Sequence, residues 1–321
     1  MTNREWFPQA KFGMMIHFGL YSLLGGEYKG KCMEHIGEWA QSYFRIPNSE
    51  YHKLANIFNP IYFDAEEWIK IAKDAGMKYF VVTSKHHEGF ALFKSRASKF
   101  NVVDATPYGR DIIAQLGEAC YKHGMKFGLY YSQAIDWAHP HGINFRDELN
   151  LGMSWGNDWD FPDESKKDYR ICFEEKIKPQ VKEILTNYGD LCLIWFDTPM
   201  GMPEECSMEL YNMVKEYQPN CLINSRIGNG IGDYESAGDN FIPDDNKGDM
   251  LYETPATLND TWGFKATDQN WKNAQEVIRI KNHLNERGVN YLLNVGPDGL
   301  GRFPSRAVDI LKEVGKNFLR K

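Results

Sequence analysis

The sequence predicts an α/β fold, a TIM-like (β/α) barrel in which fewer than eight regular strands are legible. Three observations carry this reading. Apolar runs of strand length alternate with amphipathic helical stretches at roughly thirty-residue intervals, which implies right-handed crossovers and a parallel sheet. The runs end in polar side chains supplied by successive strands, His17, His86, His87, Tyr131, Asp197 and Arg226, and strand ends converging on one face are the barrel arrangement. Neither the G-x-G-x-x-G turn nor the G-x-x-x-x-G-K-[ST] loop of open nucleotide-binding sheets occurs.

Taken in order, Lys11 to Gly19 is the first strand, closed by His17 and a glycine. Ser22 to Tyr43 is too long for a simple connection and reads as a functional loop carrying Glu38 and Trp39. Asp64 to Gly76 has an Asp N-cap, Glu67 at the capping-box position, one apolar face and a glycine stop. Met77 to Thr83 is the next strand and runs into Lys85-His86-His87-Glu88. Asp111 to His123 repeats the helix pattern before Gly124, and Lys126 to Ser132 is the third strand. Gln133 to Pro162, with Trp137, Trp155 and Trp159, has little periodicity and reads as a loop over the top face. Lys167 to Tyr188 is a long helix that Pro179 bends or splits.

Leu191 to Asp197 is a continuous apolar run closing in one carboxylate, as expected of a parallel strand covered on both faces. Pro203 to Tyr217 is helical and Cys221 to Arg226 is a short strand. Ile227 to Lys265 is polar, glycine-rich and without an assigned strand; it holds Asp233, Glu235, Asp239 and Glu253. Gln275 to Arg287 is a helix, Asn290 to Val295 the last strand, and Ser305 to Phe318 a closing helix. With no Pro-, Gly- or Ser-rich linker and no internal repeat, residues 1–321 read as one catalytic barrel domain.

Composition narrows the partners. The 37 basic and 44 acidic residues are interspersed and sum to −7, which leaves no basic stripe for nucleic acid and no polybasic segment for a membrane. A small or neutral ligand is expected, and the 9 Trp and 17 Tyr supply faces on which sugar rings stack. Six cysteines without a CxxC pair, Cys32, Cys120, Cys172, Cys192, Cys206 and Cys221, read as reduced core residues. Met1 to Phe12 lacks the charged-then-apolar pattern of a secretory signal, and no run approaches the roughly 18 apolar residues of a membrane span, so the chain is expected to be cytoplasmic.

Asp197 is the candidate reaction centre, since chemistry in a barrel sits where strands end. The competing reading is a carboxylate capping the following turn, a common role for Asp. His86-His87 invites a metal reading. Adjacent strand residues face opposite sides, however, and the usual zinc spacing puts two His four apart on a helix, so hydrogen bonding across a bulged strand end is preferred and no metal or other cofactor is expected. No G-x-S-x-G elbow closes a strand-like run, so a serine hydrolase is unsupported. Paired carboxylates with aromatics and hydrogen-bond donors fit glycoside hydrolysis.

The stretches KFGMMIHFGLYS, GEWAQ, TSKHHEGFALF, SKFNVVD, GLYYSQAIDW, LIWFD, NSR and NYLLNVGPDGLGRFP, in that order along nearly the whole chain, resemble glycoside hydrolase family 29, the retaining α-L-fucosidases. The resemblance implies exo-hydrolysis of terminal α-L-fucose from a fucosylated oligosaccharide or glycoconjugate through a covalent intermediate. It implies Asp197 as nucleophile and His17, Glu38, Trp39, His86, His87, Tyr131, Trp195 and Arg226 as fucose-binding positions. The general acid is less fixed by motif, and Glu253 is preferred over Asp239, with Glu235 third. Many members continue into a C-terminal β-sandwich, which is absent from the 321 residues. The alternatives are a glycosidase for another sugar on the same barrel and a fucose-binding barrel without turnover.

Overall fold

The computed structural model describes residues 1–143 and 153–318; part of the loop expected over Gln133 to Pro162 lies outside them. The barrel strands are β1 (Phe12–Ile16), β2 (Tyr79–Lys85), β3 (Lys126–Ser132), β4 (Leu193–Asp197), β5 (Leu222–Ile223), β6 (Glu235–Ser236), β7 (Tyr252–Thr257) and β8 (Val289–Val295). All are parallel, each beside the next in sequence, with β8 returning to β1. A bridge between Asn224 and Tyr234 links β5 to β6 and completes the ring. The TIM-like barrel expected from the sequence is the observed fold, now with eight strands.

Two of those strands correct the reading of Ile227 to Lys265 as strandless. β6 is only two residues long, and β7 contains Pro255, which argues against a central strand because it cannot donate to the ladder. The geometry explains the tolerance. Pro255 pairs with Leu292 on the β8 side, while its carbonyl accepts from Asn240 N on the other side, where β6 has already ended. A residue's N and C=O point to the same neighbour, so the missing donor faces a gap in the ladder. Asn224 performs a related substitution after the short β5: its side chain accepts from Phe196 N and donates to Phe196 O, both at 2.9 Å, and extends the support of β4 beyond the strand pair.

Helices follow the caps that the sequence offers. In α2 (Ala65–Asp74) Asp64 accepts from Glu67 N, and the chain turns out at Gly76 with φ 86°. In α3 (Ile112–His123) Asp111 accepts from Ala114 N, and Gly124 closes it with φ 64°. The long helix expected from Lys167 is interrupted: Tyr169–Cys172 is α-helical, Phe173–Ile177 is a π-turn, and α4 (Lys178–Asn187) follows directly with Pro179 near its start, so the proline falls where the α-helical ladder is already broken. α5 (Glu204–Tyr217), α6 (Ala274–Glu286) and α7 (Ser305–Phe318) complete the outer layer. The main apolar core lies between these helices and the strands.

A second core fills the barrel itself: Met15 from β1, Tyr79 and Val81 from β2, Tyr130 from β3, Leu193 and Trp195 from β4, Leu222 from β5, Tyr234 and Leu292. Phe7, on α1 (Asn3–Ala10), plugs its N-terminal end against Tyr79 and Tyr234. Side chains alternate along a strand, so the inward set of Met15, Tyr130 and Trp195 predicts what the strands present at their other end. Five of the six cysteines are buried, as expected, whereas Cys32 is exposed on a two-strand hairpin in the Ser22 to Tyr43 loop.

Candidate active site

Continuing the inward parity of β4 past Leu193 and Trp195 brings Asp197 to the barrel mouth, where it is 8% exposed. Both carboxylate oxygens are held. Arg226 Nη1 donates to Oδ1 at 2.9 Å and Tyr130 OH donates to Oδ2 at 2.8 Å. The backbone is pinned as well, since Asp197 N donates to Gln133 Oε1, and Gln133 Nε2 donates to Arg226 O. Thr198 follows with φ 47°, a costly conformation for a β-branched residue, and turns the chain away at the rim.

Above Asp197 lies a cavity of about 200 Å³. His17, Glu38, Trp39, His86, His87, Trp195 and Arg226 line it, together with Asp239, Trp155 and Trp262. His86 and His87 both reach it because the β2–β3 register shifts between Thr83 and Lys85, so the bulge anticipated at that strand end is present. Glu38 and Trp39 arrive on a 3₁₀ turn (Gly37–Trp39) docked against the loop after β7. Gly37 is required there, because a Cβ would stand 2.7 Å from Phe264 O.

Tyr131 is the exception among the expected binding residues. Tyr130 pairs with Trp195 and faces inward, so Tyr131 faces out and donates to Gln180 Oε1 at 2.8 Å. The inward tyrosine of β3 is Tyr130, and strand parity relative to Asp197 is the signal that identifies it. Three carboxylates expected on one loop also separate. Glu235 lies in β6 with its side chain exposed. Asp239 lines the cavity and shares Arg226 with Asp197, accepting from Nη2 at 2.5 Å. Glu253 belongs to β7, is fully buried, and accepts from Tyr79 OH, Trp195 Nε1 and Tyr234 OH inside the barrel.

Hydrogen bonding settles what the histidines offer. Asn294 Nδ2 donates to Trp262 O, which turns Oδ1 toward His17 Nδ1 at 2.8 Å. Ser132 Oγ donates to Ile135 O and therefore accepts from His87 Nδ1 at 2.7 Å. In both rings the proton is assigned to Nδ1, leaving Nε2 as an acceptor. Burial keeps both neutral, drawing His17 down to about 4 and His87 well below the usual histidine range. His86 Nδ1 meets no hydrogen-bond partner among the described residues.

Glu38 complements them. Its Oε2 accepts from Gly263 N at 2.7 Å, and burial raises its carboxyl to about 7, so near neutrality it carries a proton in an appreciable fraction of molecules. Behind the histidines, Lys85 and Lys176 both contact buried Asp136 Oδ2, at 2.9 and 2.7 Å. Glu88 turns away from the cavity to accept from Leu20 N and Tyr51 OH. The wall thus combines imidazole acceptors, a guanidinium, a protonatable carboxyl and indole faces, the set that binds a polyhydroxylated ring. Sequence reasoning missed Gln133, Asn294, Ser132 and Trp262; Ser132 and Asn294 lie at strand ends as uncharged groups, and Gln133 and Trp262 lie in loops beyond strand ends.

The alpha-L-fucosidase family model matches residues 1–321. The chain is 29% identical to plasma alpha-L-fucosidase of Homo sapiens, covering 97% of this chain and 66% of that protein. It is 30% identical to tissue alpha-L-fucosidase of Macaca fascicularis over 92% of this chain and 63% of that one, so it spans about two thirds of the length of these curated relatives. Alpha-L-fucosidase AlfC from Lactobacillus casei, solved in complex with alpha-L-fucose product, is 53% identical with a TM-score of 0.95, and 99% of each chain is covered. An alpha-L-fucosidase from Vibrio sp. strain EJY3 is 36% identical with a TM-score of 0.92, over 99% of this chain and 55% of that one. Matched from end to end by the family model and built on the same barrel as these structures, the chain belongs to the alpha-L-fucosidase family.

Proposed function

We propose that this protein is a retaining exo-α-L-fucosidase that releases terminal α-L-fucose from fucosylated oligosaccharides or glycoconjugates. The observation that carries the reading is Asp197, a carboxylate with both oxygens oriented in a cavity at the barrel mouth walled by groups suited to a sugar. At about 200 Å³ that cavity is smaller than the roughly 300–1,000 Å³ of drug-sized sites, so it suits one monosaccharide at a chain end.

In the proposed reaction Asp197 attacks the anomeric carbon while the bond to the leaving oxygen breaks and that oxygen takes a proton from the general acid. Water then attacks the glycosyl-enzyme, giving its proton to the same residue, and Asp197 is released. Of the carboxyl groups weighed for the acid, Asp239 is favoured by position: it lines the same cavity as Asp197 and shares one guanidinium with it, which suits the closely spaced carboxyl pair of a retaining enzyme. His17, Glu38, His86, His87, Trp39, Trp195 and Arg226 hold the sugar. An AlfC variant has been solved with Fuca(1,6)GlcNAc, which supports an α(1,6)-linked fucosyl-N-acetylglucosamine as a substrate here. A cytoplasmic location is the accompanying reading, supported by six free cysteines; among the described residues no helix is long and apolar enough to cross a membrane.

The test is release of p-nitrophenol from p-nitrophenyl α-L-fucoside beside the galactoside and glucoside analogues, and of fucose from Fuca(1,6)GlcNAc. Turnover of the fucoside alone is expected; a preference for another glycoside, or binding without release, overturns the proposal. Asp239→Ala should depress hydrolysis of the disaccharide far more than that of the aryl fucoside, because only the former leaving group needs its proton.

A further inference from the structure

Inside the barrel, beneath the proposed fucose cavity, Glu253 is a carboxyl group that the reaction does not use. It is fully buried, and its surroundings are donors: Tyr79 OH at 2.6 Å, Trp195 Nε1 at 2.9 Å and Tyr234 OH at 3.4 Å. The four residues come from β7, β2, β4 and the turn into β6, so one carboxyl ties together strands from opposite sides of the ring. Trp195 is the member that faces the cavity. Its indole carries Arg226 at 4.7 Å from the ring centroid and lies parallel to Tyr130, with centroids 5.6 Å apart and planes 16° from coplanar. Arg226 and Tyr130 are the two side chains that hold the oxygens of Asp197.

We infer that Glu253 is a positioning residue: it anchors the Trp195 indole as a plate on which both partners of Asp197 rest, and so orients the nucleophile from across the barrel. An indole N–H can only donate, and inside an apolar barrel an unmet donor is costly, so the acceptor beneath it selects one orientation of the ring. Rotating that plate displaces Arg226 and Tyr130 together. Burial raises the Glu253 carboxyl to about 7, with its three donors working the other way. Protonated or not, it keeps an acceptor oxygen for the indole.

This inference rests on the fucosidase reading, and the experiment separates the two. In kinetics on p-nitrophenyl α-L-fucoside and on Fuca(1,6)GlcNAc, Glu253→Gln should stay within about threefold of the parent, because an amide carbonyl still accepts from the indole and the tyrosine hydroxyls can turn to meet the amide nitrogen. Glu253→Ala should lower kcat/KM roughly 10- to 100-fold by the same factor on both substrates, the loss expected of an undone buried hydrogen bond at a reacting group. Trp195→Phe, which removes the N–H, should cost a similar factor, and the double variant should be little worse than either single one. Should Glu253→Ala fail to fold, Glu253→Gln and Trp195→Phe still decide. A Glu253→Gln variant impaired on the disaccharide but not on the aryl fucoside would make Glu253 the general acid and overturn the inference. Additive losses at Glu253 and Trp195 overturn it too. A parent enzyme inactive on both substrates fails the fucosidase reading instead.

Discussion

Asp197 gains its proposed role from what surrounds it. A carboxylate at a strand end is ordinary, whereas one that receives Tyr130 OH and Arg226 Nη1 on separate oxygens has its orientation fixed. Asp197→Gly should therefore lose several orders of magnitude in turnover, as removal of a covalent catalyst does, with azide restoring product as the fucosyl azide. Near-parent turnover by that variant would remove Asp197 from the mechanism. Tyr130→Phe deletes one hydrogen bond to the charged group and should cost roughly 10- to 100-fold in kcat, whereas Tyr131→Phe, on the outer face, should leave kcat within about twofold. That contrast marks how far the site was legible. Strand-end residues announce themselves, and a motif can name two adjacent tyrosines, but which one faces into the barrel toward Asp197 follows from the pairing of Tyr130 with Trp195, a relation between strands that lies outside either segment's own pattern.

Elements read well wherever local chemistry and tertiary demand coincide. The helices with an Asp cap and a glycine stop start and end within a residue or two of their signals, and the long apolar strands lie where their composition puts them. β6 and β7 were hidden for the opposite reason. They are held by neighbours, by inward packing of Tyr234 and Glu253 and by a ladder that ends where Pro255 needs it to, and their own composition is that of a loop. The same dependence on partners appears at Gly13 in β1, where a Cβ would stand 2.4 Å from the Tyr79 ring. That ring cannot give way, with its hydroxyl on Glu253 and its faces near Trp6 and Phe7. Gly13→Ala should thus destabilise the fold by about 1–3 kcal/mol, read as a lower urea midpoint. An unchanged midpoint would show the barrel floor to be more compliant than its packing implies.

For the molecule as a whole, burying so many titratable groups in and around the barrel ties stability to pH in two opposing ways. Burial lowers His17, His35, His52, His86, His87 and His139 from the ordinary histidine value of 6.5, His17 to about 4. Each gains proton affinity on unfolding, so its contribution is complete above 6.5 and is lost as pH falls toward the folded value. Burial raises Glu38, Glu88 and Glu253 from 4.5 to about 7. These hold protons in the fold that the unfolded chain releases, so their contribution is complete below 4.5 and is lost as pH rises through about 7. Between 4.5 and 6.5 the strongly lowered His17, His86 and His87 offset the three carboxyls, and His35, His52 and His139 tip the balance, so the unfolded chain binds more protons and stability should climb gently with pH. Above 6.5 the histidine contribution nears completion while the carboxyls still titrate, and stability should level and decline slightly through about 7. Thermal melts in one buffer series at pH 5, 6.5 and 8 should place the highest Tm near 6.5, and Glu38→Gln, which no longer ionises, should lessen the decline above it. A Tm that falls steadily from pH 5 upward would mean that the carboxyls, and not the histidines, dominate the proton balance of folding.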